Sequence, residues 1–300
     1  MKIGLVLSGG GGKGAYELGV FKALKELGID KYIEVFSGTS IGAFNAVLFA
    51  QDDMVAAEAL WEEVTIDKLI PVSKFELIKK GLGLFIGAKN INVAKKYMNQ
   101  KIDEGAVSKD GAREIINKYL NIEKVKENKK VCYAACTELP DFKVKYFNVS
   151  DHDDDTGKEI VIASASLPLI YEATELFGGR YIDGGVADNT PIQPVYGENC
   201  DIIIVVLLSR EVRVDRSLYP NTHIIEIFPR SLNENVLNGT LNLDGEAKRL
   251  RIKSGYEDAM YMLEPIMKMT ELKIKLEEEA ENPKLYKMIN KVKKVINKDK

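Results

Sequence analysis

Gly38-Thr39-Ser40-Ile41-Gly42 is the stretch on which the reading of this chain turns. A G-x-S-x-G pentapeptide between a strand and a helix can form a nucleophile elbow, a sharp turn that lifts a serine Oγ clear of the backbone. The flanks suit it: Tyr32-Ile33-Glu34-Val35-Phe36 reads as a strand, and Ile41-Gly42-Ala43-Phe44-Asn45-Ala46-Val47 as a buried helix. Glycines two before and two after Ser40 leave room where a tight turn brings chain segments together. The same pattern also occurs in ordinary strand-to-helix turns, so its meaning depends on what surrounds it.

Two further segments bear on it. Ser8-Gly9-Gly10-Gly11-Gly12-Lys13-Gly14 directly follows the apolar run Ile3-Gly4-Leu5-Val6-Leu7, and Ala15–Leu24 continues with helical apolar spacing. A glycine run at a helix N-terminus exposes backbone N–H groups beside the positive end of the helix dipole, an arrangement that stabilises negative charge. Tyr181-Ile182-Asp183-Gly184-Gly185 places a carboxylate at the end of a short strand, followed by two glycines that permit close approach.

In this order the segments G-G-G-x-[KR]-G, G-x-S-x-G and D-G-G resemble the patatin-like phospholipase family, lipid acyl hydrolases with a Ser-Asp dyad. Ala163-Ser164-Ala165-Ser166-Leu167-Pro168 is similar to the small-residue run that precedes the family's D-G-G. The likeness covers about residues 1–230, and no motif beyond it can be carried over. It implies Ser40 as nucleophile, Asp183 as its base, and the N–H groups of Gly10, Gly11 and Gly12 as the oxyanion hole. Lys13 stands where the family has Lys or Arg and is expected to support that loop. One departure is Leu169-Ile170-Tyr171 after Pro168, where the family often has Phe-Pro; it bears on the pocket wall.

Other chemistries compete for the same residues. A serine needs a base, and with most G-x-S-x-G hydrolases that base is histidine, in the order Ser, Asp, His. There are two histidines: His152 lies in the acidic run Asp151–Asp155, and His223 enters a strand, whereas such a histidine belongs on a loop. The dyad is therefore the preferred reading over a Ser40–Asp183–His223 triad. Gly9, Gly11 and Gly14 also fit the G-x-G-x-x-G of a dinucleotide-binding protein or dehydrogenase, but its acidic ribose partner would have to be Glu34, from inside the second strand. A P-loop fails because Gly14 follows Lys13. A calcium loop at Asp151, Asp153 and Asp155 fails at Thr156 and Ile162, and a solvated turn is expected there. A non-catalytic binder that keeps the fold is a third class, disfavoured by the intact Ser40 and Asp183.

Composition bounds the rest. Three hundred residues with 45% hydrophobic content suffice for a sizeable core, and a net charge of −3 argues against a nucleic-acid partner. No apolar stretch reaches transmembrane length, and the start of the chain lacks the apolar core of a signal peptide. The three cysteines read as reduced core residues; Cys132 and Cys136 share a strand face too far apart to bond. A cytoplasmic protein follows, with peripheral membrane association open and the oligomeric state undetermined. The partner expected is a lipid ester at a membrane or micelle surface, with no metal or organic cofactor. Strands and helices alternate, which predicts an α/β fold: a mainly parallel central sheet flanked by helices. Strands are expected at 2–7, 32–36, 130–136, 143–148, 180–182, 201–208 and 223–228. The catalytic domain is expected over 1–240, with a helical segment over 241–300 packed on it. Phe75–Ile86 is apolar and glycine-punctuated, a core connection or a lipid-facing flap. From Pro283, Leu285, Met288, Ile289, Val292, Val295 and Ile296 share one helix face opposite lysines, which suits a packed helix or an interfacial anchor.

Overall fold

β1 (Ile3–Leu7) is buried at every position, as a strand covered on both faces must be. It lies inside an eight-stranded sheet. The computed structural model describes residues 1–70, 107–168, 170–231 and 236–281, side chains at 236–238 and 278–281 excepted. The strands are β1, β2 (Ile33–Thr39), β3 (Val131–Leu139), β4 (Lys143–Asn148), β5 (Thr174–Leu176), β6 (Gly179–Asp183), β7 (Ile202–Val206) and β8 (His223–Ile227). Their order is β5-β6-β3-β2-β1-β7-β8, with β4 also paired to β3. Pairings from β3 through β2, β1 and β7 to β8 are parallel, and those of β3 with β4, β3 with β6 and β5 with β6 are antiparallel.

Among the described residues the α-helices are α1 (Ala15–Glu26), α2 (Ile41–Ala50), α3 (Met54–Glu63), α4 (Ile66–Leu69), α5 (Asp110–Tyr119), α6 (Ile122–Glu127), α7 (Asp154–Ser164), α8 (Ile192–Gly197), α9 (Val236–Leu241) and α10 (Gly245–Glu281). Alternation along the strands sends residues to both faces of the sheet. Val6, Val35, Ile203 and Val205 pack with Ile192 and Val195 of α8 on one face. On the other, Phe36 of β2 meets Phe21 of α1 edge-on at 6.5 Å, and Phe21 stacks on Phe49 of α2 at 4.3 Å. Each fully buried aromatic or aliphatic side chain of this kind contributes roughly 1.5–3 kcal/mol.

All seven strands expected from sequence are present; β5 was not expected, being three residues long and set off by the turn at Phe177 and Gly178, both at positive φ. Cys132, Cys136 and Cys200 are buried free thiols. The apolar Phe75–Ile86 segment and the helix expected from Pro283 lie outside the described residues. The chain divides into two compact units, Met1–Asp258 and Ala259–Lys300. Everything that follows lies in the first.

Candidate active site

Ser40 sits between β2 and α2 at φ 57° and ψ −123°. A side chain at positive φ outside the usual left-handed well is strained by about 1–3 kcal/mol, and the surroundings must hold it there. They do so by closeness. A Cβ on Gly38 would stand 2.1 Å from the Gly42 carbonyl oxygen, and one on Gly42 would stand 2.4 Å from that of Leu7. Both elbow glycines are therefore places where backbone meets backbone, as the pentapeptide predicted. The Ser40 N–H donates to Ser164 Oγ at 2.9 Å, and that hydroxyl donates onward to the Ala135 carbonyl at 2.6 Å.

β3 carries the geometry from Ser40 to Asp183. Its first half pairs with β2, Ala135 opposite Thr39; its second half pairs with β6, Cys136 opposite Asp183. Two consecutive residues of one strand thus fix the end of the strand that leads into Ser40 and the strand end that bears the carboxylate. The Asp183 N–H donates to the Ser166 carbonyl at 2.9 Å, and Thr137 Oγ1 donates to the Asp183 carbonyl at 2.9 Å. The carboxylate is buried; Oδ1 accepts from the Gly185 N–H at 2.8 Å, while Oδ2 makes no hydrogen bond of ordinary geometry. Burial pushes the Asp183 pKa up to about 6, against the opposing pull of the nearby Ser40 hydroxyl and the Gly185 N–H.

The glycine loop closes the third side. The Gly9 N–H donates to the Asn189 carbonyl at 3.1 Å, and Asn189 Nδ2 returns a bond to the Gly9 carbonyl at 3.1 Å. At the other end the Lys13 N–H donates to the Gly10 carbonyl at 3.2 Å, within the tight turn Gly11–Gly14 that feeds α1. Gly10, Gly11 and Gly12 lie between these two anchored amides. Gly11 adopts φ 54°, and a Cβ there would stand 2.4 Å from the Thr240 carbonyl oxygen. The Lys13 side chain is buried. Beside Gly11, Gly12 and Ser40 opens an apolar cleft of about 900 Å³, its open mouth included, walled by Phe44, Trp61, Ile115, Ile170 and Leu241 among others.

The other candidates fall elsewhere. His223 is the exposed first residue of β8, opposite Ile202. That is the N-terminal end of the parallel strands, whereas Ser40 lies past the C-terminal end of β2. His152 stacks on Phe177 at 5.1 Å. Glu34, the ribose partner required for a dinucleotide, is exposed near the start of β2, at the far end of that strand from the glycine loop. The acidic run is a helix start: Asp153 Oδ1 accepts from the Thr156 N–H at 2.9 Å to cap α7, and Asp154 Oδ1 accepts from the Ile122 N–H at 2.8 Å. Among the described residues no cluster suits a metal ion.

Several residues of the site escaped the sequence reading. Ser164 and Ser166 lie in the run already singled out, but their contacts exist only once the chain has folded: Ser164 meets Ser40 and Ala135 of β3, and Ser166 meets Asp183 of β6. Asn189 is visible only as a polar residue past D-G-G. Asn45, on α2, joins three parts: Nδ2 donates to Glu17 Oε2 at 2.8 Å and to the Gly14 carbonyl at 3.1 Å, and Oδ1 accepts from Trp61 Nε1 at 3.1 Å. Burial drives the Glu17 carboxyl pKa well above the usual range, against the pull of the Asn45 amide. A glutamate amid the apolar positions of α1 was the available signal.

Residues 5–196 match the family described as patatin-like phospholipase. Among curated proteins, the chain is 29% identical over 213 residues to lysophospholipase NTE1 of Candida glabrata and 26% identical over 213 residues to that of Saccharomyces cerevisiae, 68% of this chain in each case. It is 56% identical over 50 residues, 17% of this chain, to lysophospholipase nte1 of Aspergillus terreus. The chain spans only about a tenth of the length of the first two and 3% of the third. Among solved structures, VipD from Legionella pneumophila aligns over 88% of this chain and 67% of its own at 18% identity, with a TM-score of 0.51, a likeness of fold. With the match running from β1 through the elbow and the D-G-G turn to α8, the chain belongs to the patatin-like phospholipase family.

Proposed function

We propose that this chain is a serine-dependent lipid acyl hydrolase, of phospholipase A or lysophospholipase type, working through a Ser40–Asp183 dyad. The observation that carries the reading is the register of β3, which holds the strands of both residues at adjacent positions beside an apolar cleft. The lysophospholipase names of the relatives support lipid as the substrate class.

In the proposed reaction Ser40 Oγ attacks the ester carbonyl carbon while Asp183 accepts its proton. A carboxylate with pKa near 6 is mostly ionised at pH 7, yet is a better base than an exposed aspartate. The oxyanion is held by N–H groups of Gly10, Gly11 and Gly12, at the N-terminal ends of α1 and α2; Lys13 backs that loop. The C–O bond then breaks, and the proton on Asp183 passes to the leaving alkoxide. Water, deprotonated by Asp183, attacks the acyl-enzyme, and the proton returns to Ser40. None of these steps calls for a metal or organic cofactor. The cleft beside Ser40 is walled almost wholly by apolar side chains, which suits an acyl chain.

No helix among the described residues is long and apolar enough to cross a membrane. We place the enzyme in the cytoplasm, meeting lipid esters at a membrane or micelle surface. The test is hydrolysis of a lysophospholipid and of a short-chain ester by the native chain and Ser40→Ala. Loss of the nucleophile should lower turnover by about 10⁴-fold or more with an unchanged melt. Native turnover by a folded Ser40→Ala protein overturns the assignment.

A further inference from the structure

The oxyanion loop leans on a part of the chain that lies beyond the family match. Residues 5–196 carry the elbow, the glycine loop and Asp183, yet the backbone pressed against Gly11 and Gly12 belongs to Thr240 and Asn242. A Cβ on Gly12 would stand 2.2 Å from the Asn242 carbonyl oxygen. Into this junction α10 sends Arg251, 1% exposed. Its Nη1 donates to the Gly12 carbonyl at 2.9 Å and to the Asn242 carbonyl at 2.6 Å.

The placement of that guanidinium is built, not incidental. α1 and α10 touch backbone to backbone: a Cβ on Gly19 would stand 1.9 Å from the Ile252 carbonyl oxygen, and one on Gly255 would stand 2.0 Å from that of Tyr16. Arg251 lies one helical turn before Gly255, so the close crossing brings its side chain to the turn that begins α1. Side chains three or four apart share a helix face. Asp258 Oδ2, one turn further on, accepts from the Tyr16 hydroxyl at 3.1 Å and fastens the same pair of helices.

We propose that Arg251 is a positioning residue for the oxyanion hole, supplied to the catalytic site by the helical segment outside the matched region. This inference rests on the hydrolase reading above. A glycine peptide has little to stop its plane from rotating, and rotation would aim a carbonyl dipole, in place of an N–H, at the developing oxyanion. The Gly12 carbonyl shares its peptide plane with the Lys13 N–H, which donates to the Gly10 carbonyl at 3.2 Å. A charge-assisted bond from Arg251 holds the other edge of that plane, and so braces the turn that carries the Gly11 and Gly12 N–H groups. The fixed cation behind the loop also favours negative charge in front of it, in a site where preorganised dipoles matter most. Because the oxyanion exists only beyond the ground state, the benefit falls on turnover and not on substrate binding.

Steady-state kinetics on a short-chain ester test this in the full chain, with native, Ser40→Ala, Arg251→Lys and Arg251→Met proteins and a melt of each. Methionine keeps an apolar stem and loses the bonds to the Gly12 and Asn242 carbonyls; lysine keeps the charge and one donor group. Arg251→Met should lower kcat by about 10–10²-fold with KM within about twofold, and Arg251→Lys should fall between it and native. Native kcat in folded Arg251→Met overturns the inference, as does a fall in kcat matched by a rise in KM. Loss of the native melt in both variants also overturns it, since Arg251 would then serve the fold alone. Hydrolysis that survives Ser40→Ala marks failure of the hydrolase reading itself, whatever Arg251 does; Ser40-dependent hydrolysis with native turnover in Arg251→Met marks failure of this inference only.

Discussion

The two halves of the proposed dyad are held by different physics. Ser40 stands where parallel strands end, in a strained backbone fixed by direct contacts of glycine with carbonyl oxygen. Asp183 stands where the sheet turns antiparallel, relaxed in backbone, its carboxylate buried with one N–H on Oδ1 and none of ordinary geometry on Oδ2. On the nucleophile side the sequence stores steric strain; on the base side it stores an electrostatic cost. Strain sets where an atom is, whereas burial sets how strongly it binds a proton. Disturbing the contacts that hold Ser40 and removing the charge of Asp183 should therefore have opposite effects on stability even where both lower activity.

The base side gives the sharpest contrast. Asp183→Asn should lower turnover by about 10²–10⁴-fold, the contribution of a positioned general base, and yet raise the melt at pH 7. The carboxyl pKa is raised from 3.8 to about 6. Native stability from this group is thus full below about pH 4 and is lost as pH rises to about 6. About two units correspond to about 3 kcal/mol that ionisation costs the native state at pH 7. The same shift means that native turnover climbs with pH through about 6 and then levels. Thermal melts and a pH–rate profile check both; a variant less stable than native at pH 7 would break the contrast.

Gly11→Ala acts on the steric side. At φ 54°, with Thr240 O in the path of a Cβ, the loop must shift, and turnover should fall by roughly 10²-fold or more with a lower melt. A loss of stability without loss of kcat would separate the loop from the chemistry. Ser164→Ala removes the acceptor of the Ser40 N–H and the donor to Ala135. It should cost about 1–3 kcal/mol in a denaturant melt and a smaller fraction of turnover. Trp61→Phe should change turnover least: it leaves Asn45 Oδ1 without its indole donor, with a loss of about 1–3 kcal/mol and altered preference among acyl chain lengths, read by comparing esters of different length.

Much of this architecture was legible. Seven strands and the elbow glycines follow from local patterns, because buried parallel strands and tight turns leave strong compositional marks; the pairing of Asp183 with Ser40 came from the family resemblance. What escaped depends on pairing. Nothing local to Ala135 or Cys136 says that β3 will span both dyad strands, and β5 is too short to carry a pattern. The contacts of Arg251 and Asn45 come from helices meeting at a distance in the chain. Gly19 and Gly255, which make the close crossing, stand more than two hundred residues apart, and neither names the other as its partner.

The central claim, that Ser40 is the nucleophile and Asp183 its base, is met most directly by a fluorophosphonate probe and intact-protein mass, with peptide mapping of the adduct. Native protein should take up one probe on Ser40, Ser40→Ala none, and Asp183→Asn should label far more slowly than native. Labelling of Ser40→Ala at the native rate, or an adduct on another residue, would contradict the account.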